Sequence, residues 1–263
     1  MTDELDRPRF GAAYVTGASS GIGAELVRRL AARGTVVVAA ARRRERLAAL
    51  AEEADGVVHP SVVDVADTDA VRADLARWNR TLRDASGSGF DLVIANAGVG
   101  LGASVREVSF ADLETTLRVN TLGAIATLHA GLRCFLDERR GGTLVGISSL
   151  AATGGFVGSG SYAASKAALS TFVETAQADL AGSGITAIDV RPGYVHTEMT
   201  GDADHPLPFA WSVERAAARV LAGIDRGRPR IVFPWQLRLA LGTLDRCPRW
   251  VWRAFQRQLA RRV

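Results

Sequence analysis

Short runs of β-branched and small apolar residues alternate along this chain with longer stretches whose apolar positions recur at helical spacing. The runs predict strands at 12–16, 35–41, 57–63, 91–95, 143–148, 185–191 and 231–233. The stretches predict a first helix up to residue 33, then helices at 44–54, 67–84, 109–139, 161–182 and 212–226. Ser109 and Asp112 stand at the spacing of a capping pair, and Ser86-Gly87-Ser88-Gly89 closes the third helix. The polar, Pro-containing stretch 193–211 is assigned no element. Helices interposed between strands make parallel crossovers. The pattern therefore predicts an α/β fold: a doubly wound, mostly parallel seven-stranded sheet with helices on both faces. Ligands in such sheets bind beyond the carboxyl ends of the strands, where the strand order reverses.

A length of 263 residues suits one domain of this kind, and 48% hydrophobic content is enough for its core. The reading is a single domain at 10–234, with 1–9 and 235–263 as extensions; residues 1–9 and the Arg-rich end are the candidate disordered segments. Charge is uneven. From Arg226 onward there are ten Arg and one acid, Asp245, a formal +9 that leaves the rest near −5. The overall +4 thus belongs to the tail. Of the 32 basic residues only Lys166 is not Arg, and Arg does not readily replace a compact ammonium. Cys134 and Cys247 have no metal-like spacing and read as buried thiols, and the four His form no ligand cluster, so no metal is expected. The opening residues are polar and no apolar run reaches membrane-spanning length, so a cytoplasmic location is expected and the Asn79-Arg80-Thr81 sequon is not expected to be glycosylated.

The first candidate chemistry is the turn Thr16-Gly17-Ala18-Ser19-Ser20-Gly21-Ile22-Gly23, between the first strand and the first helix. A helix N-terminus there presents free amides to a pyrophosphate, and glycine lets the backbone come close. The spacing Gly-x-x-x-Gly-x-Gly departs from the commoner Gly-x-Gly-x-x-Gly. At the end of the second strand, where an acid would bind the ribose of NAD, the chain has Ala41-Arg42-Arg43-Arg44. Guanidinium groups suit a 2′-phosphate, so Arg42 and Arg43 favour NADP(H) over NAD(H), while Arg44 reads as the solvated start of a helix. Further on, Tyr162 and Lys166 are four apart on a predicted helix, on one face. An ammonium there is expected to lower the phenol's pKa toward the range useful for general acid/base catalysis.

With these residues in view, the chain resembles the short-chain dehydrogenase/reductase family, in its short, non-extended branch, over about residues 10–200. Thr16 to Gly23 matches the family's cofactor turn, and Asp64-Val65 its adenine-contacting pair. Asn96-Ala97-Gly98 matches most of an Asn-Asn-Ala-Gly element, with Ala95 in place of its first Asn. Asn120 matches a helix Asn, Ser149 lies thirteen residues before Tyr162 as the family's catalytic Ser does, and Pro192-Gly193 with Thr197 matches the segment around the nicotinamide. The resemblance implies a Rossmann-like strand order 3-2-1-4-5-6-7. It implies that Ser149 donates to the substrate oxygen and that Tyr162 exchanges its proton. Lys166 lowers the Tyr162 pKa and binds the ribose, and Asn120 holds a water of the proton relay. Taken alone, Ser149 also reads as a cap, Asn120 as a helix-packing amide and Asp64 as the opening of a turn.

The implied activity is hydride transfer between NADP(H) and a carbonyl or secondary alcohol. Substrate choice is assigned to 194–211, with His196, Met199, His205, Phe209 and Trp211, a segment read as mobile and able to close. It carries no clear charged anchor, which points to an apolar substrate. Two other readings stand beside this one: a nucleotide-sugar epimerase or dehydratase on the same scaffold, for which the 70 residues after Gly193 leave little room, and a non-catalytic dinucleotide sensor, for which the intact Asn120, Ser149, Tyr162 and Lys166 are poor support. The tail from Trp235 combines Leu237, Leu239, Leu241, Leu244, Trp250, Val251, Trp252, Phe255 and Leu259 with Arg. Packing on the domain or in a homo-oligomer is preferred for it over peripheral membrane contact, and nucleic-acid binding is not expected.

Overall fold

In the computed structural model of the chain, the residues described are 9–54, 56–101, 104–201 and 207–246, the last six by backbone alone. The predicted extension at residues 1–8, His205, and the tail residues Cys247, Trp250, Val251, Trp252, Phe255 and Leu259 lie outside them, as do the side chains of Leu241 and Leu244.

Seven parallel strands form one sheet in the order β3-β2-β1-β4-β5-β6-β7. They are β1 (Ala12–Thr16), β2 (Val36–Ala41), β3 (Val58–Val62), β4 (Leu92–Ala95), β5 (Gly142–Ile147), β6 (Ile185–Pro192) and β7 (Arg230–Phe233). Alternation along each strand feeds two cores. Val15, Ala39, Ile94, Val145 and Val190 face one side, against α1 (Gly21–Ala31), α2 (Arg44–Glu52) and α8 (Val213–Asp225). Tyr14, Val38, Val93, Leu144 and Ala187 face the other, against α3 (Thr68–Ser86), α5 (Ala124–Asp137) and α6 (Gly160–Asp179). Covered on both faces, the strands carry near-continuous apolar runs. Pro60, which has no N–H for a ladder, sits in β3 at the sheet edge.

Each predicted strand and helix is present, with ends shifted by a few residues. The predicted helix 109–139 is one rod in three parts: α4 (Phe110–Leu117), a π-helical turn at Arg118–Gly123, and α5. Apolar spacing does not separate i→i+4 from i→i+5 bonding, so this turn was invisible to it. Ser109 caps α4 as expected, its Oγ accepting from Asp112 N at 3.0 Å. The described parts of the stretch 193–211, which are 193–201 and 207–211, hold more regular structure than their composition suggested. They include α7 (Glu198–Gly201) and are tied by a bridge between Val195 and Trp211, whose indole stacks on Phe233. Asn79 is buried: its Oδ1 accepts from Phe90 N, and its amide donates to Glu138. The start of the tail is α9 (Trp235–Arg246), which packs on β7 and on the turn after β5. No helix among the described residues is long and apolar enough to cross a membrane.

Candidate active site

The glycine turn leaves β1 at the switch point, where β1 is flanked by β2 on one side and β4 on the other. Gly17 has φ +66°, and a Cβ there would lie 2.7 Å from Ala97 Cα. A Cβ on Gly23 would lie 2.3 Å from the Gly17 carbonyl oxygen. Only glycine lets the loop fold this tightly against the start of α1. Gly23→Ala is accordingly expected to cost about 1–3 kcal/mol of stability, because the obstructing atom is backbone; denaturant melts against wild type measure this, and an unchanged midpoint would contradict the packing. Asn96 braces the turn from β4, its Nδ2 donating to the Thr16 and Gly17 carbonyls at 3.0 and 3.3 Å. Ser20, at the N-cap of α1, makes no side-chain cap. The first turn of that helix, with Gly21 and Ile22 lining the cleft, thus has no side-chain cap over its amides.

Arg43 opens α2 beside this turn, donating from Nε to Ser19 Oγ at 3.0 Å and from Nη2 to Ser20 Oγ at 2.5 Å. Arg42 is exposed and pairs with Asp64 at 3.7 Å. Asp64 also begins a turn, its Oδ1 accepting from Ala66 N at 2.9 Å.

Across the cleft, α6 brings in Tyr162 and Lys166. Lys166 is the chain's one ammonium and only 4% exposed; its Nζ donates to the Ile147 carbonyl at the end of β5, at 2.9 Å. Burial lowers its pKa to about 8. The Tyr162 phenol is pushed up by its own burial, while a hydrogen bond with the Ser149 hydroxyl pulls it down. This differs from the sequence expectation that Lys166 depresses the phenol. The ammonium is engaged with Ile147, 5.9 Å from the ring centroid, and desolvation governs the tyrosine. Ser149 does cap as well: its Oγ accepts from Ala151 N at 3.1 Å in the turn Leu150–Thr153.

Asn120 is fully buried in the π-helical turn. Its Oδ1 accepts from Val99 N at 2.8 Å, and its Nδ2 donates to Val99 O and Ser165 Oγ. Its side chain is thus the packing amide of the blander reading, joining the segment after β4 to α6. Every residue assigned from sequence to catalysis or cofactor binding lines one cleft except Gly23 and Asn120, which stand directly behind its wall, and of the residues assigned to substrate choice Met199 lines it while Phe209 and Trp211 do not. His196 is exposed and lies outside the lining.

The cleft thus joins amides suited to a pyrophosphate, guanidiniums at the end of β2, and a Ser–Tyr–Lys set: it fits a nicotinamide dinucleotide. A family model described as short chain dehydrogenase matches residues 11–207. The chain belongs to the short-chain dehydrogenase family. This short-chain dehydrogenase is 40% identical over 228 residues to an uncharacterized oxidoreductase of Myxococcus xanthus, covering 87% of this chain and 89% of that one. It is 36% identical over 193 residues to a sulfoacetaldehyde reductase of Chromohalobacter salexigens, covering 71% and 73%. Among solved structures, a short-chain dehydrogenase from Sphingobium yanoikuyae in complex with NADPH is similar with a TM-score of 0.77 at 26% identity, over 89% of this chain and 92% of that one.

Sequence reasoning missed two parts of the dehydrogenase's site. Glu198, in α7, reaches across to Arg43 at 2.8 Å and to Arg46. Asp189, fully buried in β6, accepts from Ser148 Oγ, next to Ser149, and from Ser170 Oγ, one turn beyond Lys166, both at 2.6 Å. An acid in the middle of a mostly apolar strand, two residues before Arg191, was the available signal for Asp189. Glu198 carried none, since its partners are more than 150 residues away.

Proposed function

We propose that this oxidoreductase moves a hydride between NADP(H) and a carbonyl or secondary alcohol carbon, with Tyr162 as the proton-exchanging group. The observation that carries the reading is the convergence of Ser149, Tyr162 and Lys166 on one cleft with the glycine turn. The nicotinamide, when bound, supplies or takes up the hydride. The chain's own work is to hold the dinucleotide, orient the carbonyl and move the proton. Ser149 Oγ donates to the substrate oxygen, where negative charge develops, and Tyr162 Oη delivers its proton to that same atom. A phenol raised by burial is a stored proton at neutral pH, which suits reduction. Lys166 is a donor for the ribose, and with its pKa lowered by burial to about 8 it is charged for that role at neutral pH. The relative named a sulfoacetaldehyde reductase supports a carbonyl substrate. The exposed Met199 and Tyr194 beside the cleft support an apolar one.

NADP(H) preference rests on Arg43, with Arg42, and on the lack of a carboxylate at the end of β2. Arg43→Ala is expected to raise the KM for NADPH about 10–100-fold and to leave the KM for NADH within a few-fold, the loss of charge-assisted hydrogen bonds to one phosphate. A panel of carbonyls and alcohols assayed with both cofactors tests function and preference together. Turnover with NADH alone, or a variant that still prefers NADPH as strongly as wild type, would overturn the cofactor assignment.

A further inference from the structure

One contact across the cleft has no part in the proton and hydride chemistry. α7 follows β6, on the opposite wall from α2, yet the Glu198 carboxylate reaches the start of α2. One oxygen accepts from Arg43 Nη1 at 2.8 Å and the other from Arg46 Nη1. The turn that carries Glu198 is itself fixed: the Thr200 hydroxyl donates to the Val195 carbonyl at 2.8 Å and accepts from Thr197 N at 3.0 Å. Thr197 closes against the glycine turn, its Cγ2 lying 3.2 Å from where a Cβ on Gly21 would stand. The other donors of Arg43 are directed at Ser19 and Ser20, so Glu198 takes the remaining arm of its fork.

A carboxylate and a phosphate offer a guanidinium the same thing, paired anionic oxygens. One guanidinium arm cannot serve both at full strength. We propose that Glu198 is a cofactor-specificity residue, whose carboxylate competes within the chain against the 2′-phosphate of NADP(H) for Arg43. A dinucleotide carrying that phosphate releases the strap formed by α7 as it binds, whereas one without it leaves the strap tied. NADP(H) is therefore held less tightly than Arg43 alone would hold it. The two guanidiniums keep the Glu198 carboxyl below its ordinary range, so the competitor is ionised throughout the neutral region. The inference rests on the reading of Arg43 as the 2′-phosphate ligand.

The test is fluorescence titration of the full chain with NADPH and with NADH, for wild type, Glu198→Gln, Arg43→Ala and the double variant. Glu198→Gln is expected to lower the Kd for NADPH about tenfold, the worth of one charge-assisted hydrogen bond, and to move the Kd for NADH less than twofold. In the Arg43→Ala background the same change is expected to have no effect on either cofactor, since the shared partner is gone. Equal tightening of both cofactors, or weaker NADPH binding by Glu198→Gln, overturns the competition. If Arg43→Ala weakens NADPH but Glu198→Gln does nothing, the competition alone falls. If Arg43→Ala leaves NADPH affinity unchanged, the phosphate reading falls and the competition with it.

Discussion

Tyr162→Phe is expected to lower kcat by about 10²–10⁴-fold, the usual worth of a positioned general acid, while dinucleotide affinity stays within a few-fold. The change removes one oxygen and leaves the ring, so the packing of α6 is kept. The lost atom is the hydroxyl that α6 sets in hydrogen-bonding contact with Ser149. The pH profile of wild type should carry the same signature. Burial raises the Tyr162 phenol above its ordinary value and lowers Lys166 to about 8. Well below pH 8 both groups hold their protons, and reduction should proceed at its plateau. Through pH 8 Lys166 loses its charge and its strength as the donor assigned to the ribose, so reduction should fall, while the raised phenol keeps its proton and alcohol oxidation should rise only at higher pH. Steady-state rates in both directions, for wild type and the variant, measure this. Retention of more than a tenth of wild-type kcat would remove Tyr162 from its role, and a reduction rate that climbs from pH 8 to 10 would reverse the assigned proton flow.

Asp189→Ala is expected to destabilise the fold by about 3–5 kcal/mol, the range for breaking a buried charge pair from one side and more than Gly23→Ala. Asp189 is completely buried. Its Oδ2 accepts from Arg191 Nε and Ser170 Oγ, each at 2.6 Å, and its Oδ1 from Ser148 Oγ at 2.6 Å. Removing the carboxylate leaves the Arg191 guanidinium, 13% exposed, with the half-exposed Glu174, which it shares with Arg230, as its remaining anionic partner among the described residues. The Ser170 hydroxyl loses its acceptor at the same time, while Ser148 keeps the Val190 carbonyl at 2.9 Å. In a chain of this size each kcal/mol is worth roughly 2–4 °C, so the melting temperature should fall by about 6–20 °C. Thermal melts of the purified variant give the number; a drop of less than 2 °C would mean that the network is not held by this carboxylate. The loss should reach function too, because Ser148 precedes Ser149 and Ser170 lies on α6 one turn from Lys166. The carboxylate clamps β5 to the helix that carries the acid.

The glycine turn, Tyr162 with Lys166, Ser149 and the Arg pair were all legible in sequence for one reason. Each is a local pattern: a loop between a strand and a helix, two residues one helical turn apart, or a residue at the end of a strand. Local spacing fixes such geometry before any tertiary contact forms. What escaped was non-local or conformational. The π-helical turn around Asn120 has the same apolar spacing as an α-helix. α7 is four residues long and polar, with no apolar stripe to reveal it. Glu198 and Asp189 matter through partners that only the closed fold brings near. The protonation of Tyr162 misled for a related reason: a lysine four residues away suggests a neighbouring charge, but where that ammonium points depends on the Ile147 carbonyl, and β5 supplies it.

By itself, then, the amino-acid order determined the alternation of strands and helices, the parallel crossovers that make the sheet doubly wound, and the residues that would meet at its switch point. These follow from hydrophobic periodicity and backbone sterics, which act over a few residues. The tertiary structure alone decided which charges face each other across the cleft, which way the lysine turns and how far the tyrosine is desolvated. Those are electrostatic quantities, set by distance and by the amount of water excluded, and neither exists until the two faces of the sheet have closed.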